Sequence, residues 1–245
     1  MMGSFFTILL FVCSAIAVSA LLIKLFNALP AKWFCDYDEQ PGEELYRKRL
    51  FWKPHGLVMA LLLTASFIGM HLRFHGFLFF LYCFACIVLL LIGISDSKYQ
   101  IIPDAFSLAL FLAAFIRAAY AFLHGASAKS AFLSPLLGAA CGAGILLFFG
   151  MIGRLLFKKE AMGMGDVKLF GAIGFLTGFP QILFIFFLAI FLAFFHIVFL
   201  ALCKKRLRGL YLPLGPYLCL AVLFFLTFQT QWEALFRWYA ELLFL

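Results

Sequence analysis

The sequence predicts an all-α fold, a polytopic membrane helix bundle of about eight transmembrane helices. Two observations predict it. Of 245 residues, 66% are hydrophobic and only 12% charged, with 35 Phe, whereas a soluble domain runs near half apolar and a quarter charged. The apolar residues also fall into runs of roughly 20, the length a helix needs to cross a bilayer. The longest polar stretch, Asn27 to Pro54, has room for no more than a small insert. The chain therefore divides into residues 1–54, a first transmembrane helix plus its loop, and residues 55–245, the main bundle.

The first helix is expected over Ser4–Phe26. No basic region precedes it. Ala17-Val18-Ser19-Ala20 has the small residues of a cleavage site, but the apolar run continues past them, so the segment reads as a retained transmembrane helix. The second runs His55–Leu72, the third Phe77–Ser95, the fourth Ala105–His124 and the fifth Phe132–Phe157. A short sixth, Val167–Phe179, is too short to cross upright. Gly171, Gly174 and Gly178 line one face of it, a spacing that lets helix backbones approach closely, so it belongs inside the bundle. Pro180 opens the seventh, which ends near Cys203, and the eighth spans Leu212–Phe228. The tail Gln229–Leu245, with Trp232, Phe236, Trp238 and Tyr239, suits an interfacial helix.

The net charge is +8, and its placement reports topology. With the N-terminus outside, the cytoplasmic loops hold Lys32, Arg47, Lys48, Arg49 and Lys53, then Lys98, then Arg154, Lys158, Lys159 and Lys168, then Lys204, Lys205, Arg206 and Arg208. Arg73, Lys129 and Arg237 stay outside, with Arg117 a turn or two inside the fourth helix. This is the positive-inside pattern. Basic residues interleaved with aromatics on a soluble face are absent, so membrane lipid and not nucleic acid is the expected surrounding. Seven cysteines are scattered. Cys83 and Cys86 have CxxC spacing but lie inside an apolar run with no second pair nearby, and read as packing residues.

Ionisable groups at membrane depth are costly, and those that occur are usually paired or functional. Asp96 closes the third helix and Asp166 opens the sixth, and the topology delivers both to one side. A carboxylate at a helix C-terminus opposes the dipole, so Asp96 conflicts with local preference. Asp166 follows Gly163-Met164-Gly165, whose two glycines permit a backbone path closed to other residues. Taken alone, Asp166 reads first as an N-cap and Gly-x-Gly as a flexible hinge. Pro103 stops helical continuation through residue 102, and Asp104 is expected to cap the fourth helix.

Together these elements resemble the type IV prepilin peptidase family of GxGD-type intramembrane aspartic proteases, related in mechanism to presenilin and the preflagellin peptidases. The resemblance rests on Asp96 with Pro103-Asp104, on Gly163-Met164-Gly165-Asp166-Val167-Lys168, and on Leu212-Pro213-Leu214-Gly215-Pro216-Tyr217, in that order. Leu214 stands where the family's Pro-Phe-Gly-Pro element has Phe. The resemblance covers roughly Trp52 to Phe228. It implies a peptidase with Asp96 and Asp166 as catalytic pair, supported by Gly163, Gly165, Lys168, Pro103, Asp104, Pro213, Gly215 and Pro216. Lys168 would either bias the pair toward ionisation or snorkel to the interface, and Lys98 would snorkel. The implied substrates are type IV prepilins or type II secretion pseudopilins. The implied place is the bacterial inner membrane, with the aspartates on the cytoplasmic side.

Many members of that family also N-methylate the new N-terminus with S-adenosylmethionine, and carry paired CxxC motifs for zinc in the first loop. Here the loop starts in a family-like way at Leu25-Phe26-Asn27-Ala28-Leu29-Pro30 but has one cysteine, Cys35. Four thiolates cannot be assembled, so no zinc is expected, and S-adenosylmethionine enters only if methyl transfer is retained. The peptidase itself would need no cofactor. Asp36–Arg49 reads as a solvated mixed-charge loop.

Other residues carry less. His71 and His75 have i,i+4 spacing but no adjacent carboxylate, and read as interfacial packing. His196, among Phe and Val, reads as a buried neutral side chain. The rival function is an ion- or proton-coupled small transporter using Asp96 and Asp166 as ion sites. Such a carrier favours carboxylates near the midplane on broken helices in two repeated halves, and no repeat is visible. Elemental analysis of the purified chain is expected to find no stoichiometric zinc; about one metal per chain would overturn this view of the first loop.

Overall fold

Apolar composition, not amphipathic periodicity, makes these helices, and glycine, proline and polar residues end them. In the computed structural model, which describes all residues except 1, 36–39, 41, 43–44, 46–48, 159–161, 204–211 and 245, every regular element is helical among the described residues. The helices are α1 (Met2–Ala28), α2 (Leu57–Arg73), α3 (Phe77–Tyr99), α4 (Asp104–Leu123), α5 (Ser134–Phe157), α6 (Met164–Thr177), α7 (Gln181–Leu202), α8 (Gly215–Thr227) and α9 (Gln229–Phe244). Single turns at Ala31–Phe34, Trp52–Gly56 and Lys129–Leu133 precede or join them. The polytopic all-α bundle expected from the sequence is what forms. Six of the helical stretches are long and apolar enough to cross a membrane. Helices α6 and α8, at 14 and 13 residues, are not.

The chain forms two compact units. One gathers residues 1–31, 41–87 and 223–245. Here α1 packs along α2, and Phe11 meets the His71 ring at 5.0 Å. His71 lies edge-on to Phe79, so the histidine pair serves in packing as expected. Asn27 clasps the returning chain. Its Oδ1 accepts from the amides of Arg49 and Leu50, both at 2.8 Å, and its Nδ2 donates to Leu50 O. Arg49 is buried and donates to the carbonyls of Leu45 and Phe26. This corrects the expectation of a solvated loop running through Arg49: backbone carbonyls left over at the end of α1 draw the guanidinium inward. The acidic part of that stretch, Asp36, Asp38, Glu39, Glu43 and Glu44, lies outside the described residues. Cys83 and Cys86 are buried free thiols.

The other unit comprises residues 32–40 and 88–222. At its centre lies α6, packed chiefly against α5 and α4, with Leu169, Phe170 and Ile173 fully buried. Lipid tails are as apolar as leucine, so close packing and polar contacts must hold such a helix, not the hydrophobic effect. Glycines supply the packing. The Gly174 Cα lies against the Gly138 carbonyl so closely that a Cβ there would overlap it, and a Cβ at Gly142 would come within 2.7 Å of Phe170 O. The end of α6 is tied down as well. Gly178 adopts φ +83, which glycine alone adopts at low cost. Ser134 Oγ then donates to Phe179 O, and the Phe179 amide to Ser134 O, each at 3.1 Å. Pro135 in the first turn of α5 fits that helix start without costing an amide.

Substituting Gly174→Leu is expected to force α5 and α6 apart and cost at least about 1–3 kcal/mol, the scale of overpacking. Thermal unfolding of the purified protein in detergent checks it; an unchanged melting temperature would mean the two backbones do not touch.

Candidate active site

The residues singled out in the sequence sit where helices of the second unit end or begin. Asp96 lies in the last turn of α3, one turn before the chain breaks at Gln100, whose φ is +56. The Gln100 amide still donates to Asp96 O, and Ser95 Oγ donates to Ile101 O at 2.7 Å, folding the chain back toward Pro103. Pro103 then precedes α4, its carbonyl accepting from the Phe106 amide. Asp104 is the first residue of α4 and makes no cap, contrary to expectation. Its carboxylate instead pairs with Lys168 Nζ at 2.8 and 3.0 Å. Lys168 thus fastens α6 to α4, a contact that its place in the sequence did not foretell, and it lines the same cavity as the two acids.

Asp166 is the third residue of α6, after Gly163 in extended conformation at the N-cap. No side chain caps this helix, so the capping role open to Asp166 is not the one it takes. Asp96 and Asp166 line one cavity of about 610 Å³. Asp96 is 5% exposed. One oxygen of each carboxyl, Asp96 Oδ2 and Asp166 Oδ1, is buried without a hydrogen-bond partner. Buried polar atoms are satisfied in more than nine cases in ten. Two such exceptions belong to residues that line this one cavity.

Backbone crowds both carboxyls. A Cβ at Gly215 would stand 2.5 Å from Asp96 Oδ2, and one at Gly163 would stand 3.6 Å from Asp166 Oδ2. Ile102 wedges between the two glycine turns: its side chain is 3.3 Å from the Cβ positions of both Gly165 and Gly215. At Gly215 main chain therefore comes where a side chain would displace Asp96. Pro213 lines the cavity, and Pro216 Cα packs near Gly93 of α3. Sequence reasoning used Ile102 only as a neighbour of Pro103. It missed Lys32, Trp33 and Cys35, which also line the cavity, Trp33 standing edge-on to Phe106 at 6.0 Å. Trp33 beside Lys32 in a loop was the available signal. The four-thiolate zinc set does not fit the first loop. Its one cysteine, Cys35, faces Lys32 O at 3.5 Å, and the described residues hold no cluster of three or more His, Cys, Asp or Glu suited to a metal.

Comparison with known proteins agrees in region. The model of the type IV leader peptidase family matches residues 83–198, which include Asp96, Asp104, Asp166 and Lys168. Leader peptidase HopD of Salmonella typhimurium is 31% identical over 151 residues, covering 60% of this chain and 88% of that protein. The chain belongs to the type IV leader peptidase family. A further relative, the prepilin leader peptidase/N-methyltransferase of Vibrio cholerae, is 31% identical over 121 residues. That match covers 49% of this chain and 45% of the relative, so the chain spans under half of that protein's length. No solved structure matches.

The Lys168–Asp104 pair is about half exposed on both sides. Lys168→Met and Asp104→Asn are each expected to cost no more than about 1 kcal/mol of stability. The double variant should cost no more than either single one, as measured by thermal unfolding; additive losses would show that the two side chains act independently.

Proposed function

We propose that this protein is an intramembrane aspartic endopeptidase that removes the leader of type IV prepilins or type II secretion pseudopilins. Asp96 and Asp166 are its catalytic pair, at the cytoplasmic edge of the inner membrane. The observation that carries the reading is the pair of unpartnered, buried carboxyl oxygens on one cavity. Membership in the family, and the printed names of the two relatives, support the substrate class.

The chemistry follows from the pairing. Two adjacent carboxyls in a poorly solvated site hold one proton between them and titrate as a unit. The ionised member takes a proton from water, and the water oxygen attacks the scissile carbonyl carbon. The protonated member gives its proton to the carbonyl oxygen, forming a gem-diol. Collapse of that diol breaks the C–N bond, with a proton delivered to the departing amine. No cofactor takes part. S-adenosylmethionine would enter only if the chain also methylates the new N-terminus. The carboxyls lie at helix ends, not midway along broken helices, which favours hydrolysis over ion transport.

Gly215 acts by letting backbone approach Asp96 and Gly165 by making room for Ile102, while Gly163 begins the turn that carries Asp166; Pro103 and Pro213 line the cavity ahead of α4 and α8, and Pro216 lies in the first turn of α8. Lys168 and Asp104 hold the start of α6 to that of α4.

Asp96→Asn and Asp166→Asn should each lower leader cleavage of a co-expressed prepilin by roughly a thousandfold or more, with the proteins still inserted in the membrane. A gel mobility shift of the pilin reads the outcome. Processing that survives either change removes the pair from the mechanism.

A further inference from the structure

His196 stands on α7 among Phe194, Phe195 and Phe199, all of which face outward. The expectation of a buried side chain fails: the residue is exposed on this apolar face. An ionisable group on a lipid-facing surface is costly and needs a reason. The reason is one residue. His196 Nδ1 and the Tyr217 hydroxyl form a short hydrogen bond, with ring centroids 5.8 Å apart. With the proton on Nε2, Nδ1 accepts from the phenol. In apolar surroundings neither group has water to turn to, so breaking this bond strands both partners.

Tyr217 is itself buried, in the first turn of α8. Its amide and that of Leu218 donate to Leu214 O, so the hydroxyl and the turn around Gly215 move as one body. That turn carries the Gly215 backbone onto the Asp96 carboxyl, and it packs Pro216 and Cys219 against Gly93, one helical turn before Asp96. Backbone glycine contacts place the turn but present no side chain to hold it. The His196–Tyr217 bond is a directional fastener between α7 and this turn.

We infer that His196 and Tyr217 form a positioning pair, which seats the first turn of α8 against Asp96 and so sets the geometry of the acid. The inference rests on the peptidase reading of Asp96 for its functional consequence, and on the contacts alone for its structural one. Both residues lie beyond the reach of the cavity lining, so they act through Gly215 and not on substrate.

The test has two arms on the full-length protein. In steady-state cleavage of a prepilin, Tyr217→Phe and His196→Leu should each lower kcat by roughly ten- to a hundredfold with KM unchanged, the scale of a small displacement of a catalytic group. The double variant should be no worse than either single one. His196→Asn, whose Oδ1 replaces Nδ1 as acceptor, should recover most of the loss. Parental kcat in Tyr217→Phe and His196→Leu, or additive losses, overturns the inference. The second arm needs no activity. A Cβ at Gly93 would stand 3.4 Å from that of Cys219, near the separation of roughly 3.5–4.5 Å that a disulfide spans. Gly93→Cys should therefore cross-link to Cys219 on oxidation in membranes, as read by mass spectrometry of the digest, and His196→Leu should lower the yield. An equal yield overturns the pairing whatever the cleavage assay shows. A parental protein that cuts no precursor sinks the peptidase reading, and the cross-link still decides whether the pair seats α8.

Discussion

The contact between Gly138 and Gly174 is the constraint on which the second unit is built. A 14-residue helix cannot satisfy a membrane by spanning it, and it gains nothing from burying apolar surface already dissolved in lipid. It can be held only by close van der Waals contact and by polar bonds at its ends. Backbone-to-backbone approach at Gly138, Gly142 and Gly174 provides the first. Ser134 and Phe179 provide the second at one end, and Lys168 with Asp104 provides it at the other. With α6 so fixed, its first turn cannot drift, and Asp166 in that turn keeps its place beside the cavity.

The same economy recurs around Asp96. Nothing on the described side chains bonds its Oδ2, and the nearest structure is glycine backbone. The Asp96 carboxyl lies against the Gly215 backbone, with the Ile102 side chain beside that same glycine. Beside the cavity Lys168 pairs with Asp104 and fastens α6 to α4.

Polar fasteners are few in so apolar a chain, and their positions are informative. Asn27 and Arg49 close the end of α1, Ser134 closes the turn after α6, and His196 with Tyr217 joins α7 to the start of α8. Each satisfies backbone or side-chain groups that lipid could not, and each has a partner at a helix end.

Most of the helical architecture was legible in the chain itself. Apolar runs, glycines and prolines mark helix ends to within a few residues, because in a membrane every backbone amide must be paired within its own segment and composition alone dictates where that is possible. The glycine face of α6 foretold its burial, and the two acids stood out because carboxylates are rare at membrane depth. Tertiary structure decided the rest. Whether Asp104 capped α4 or met Lys168, whether Arg49 was solvated, and whether His196 was buried all depended on partners 21 to 64 residues away. Local preference carries no information about such partners. Nor could any spacing reveal that Ile102, Gly165 and Gly215 converge on the acids. Residue type was enough to nominate Asp96 and Asp166, but only the packing of short helices through glycine determined that the two residues would line the same cavity.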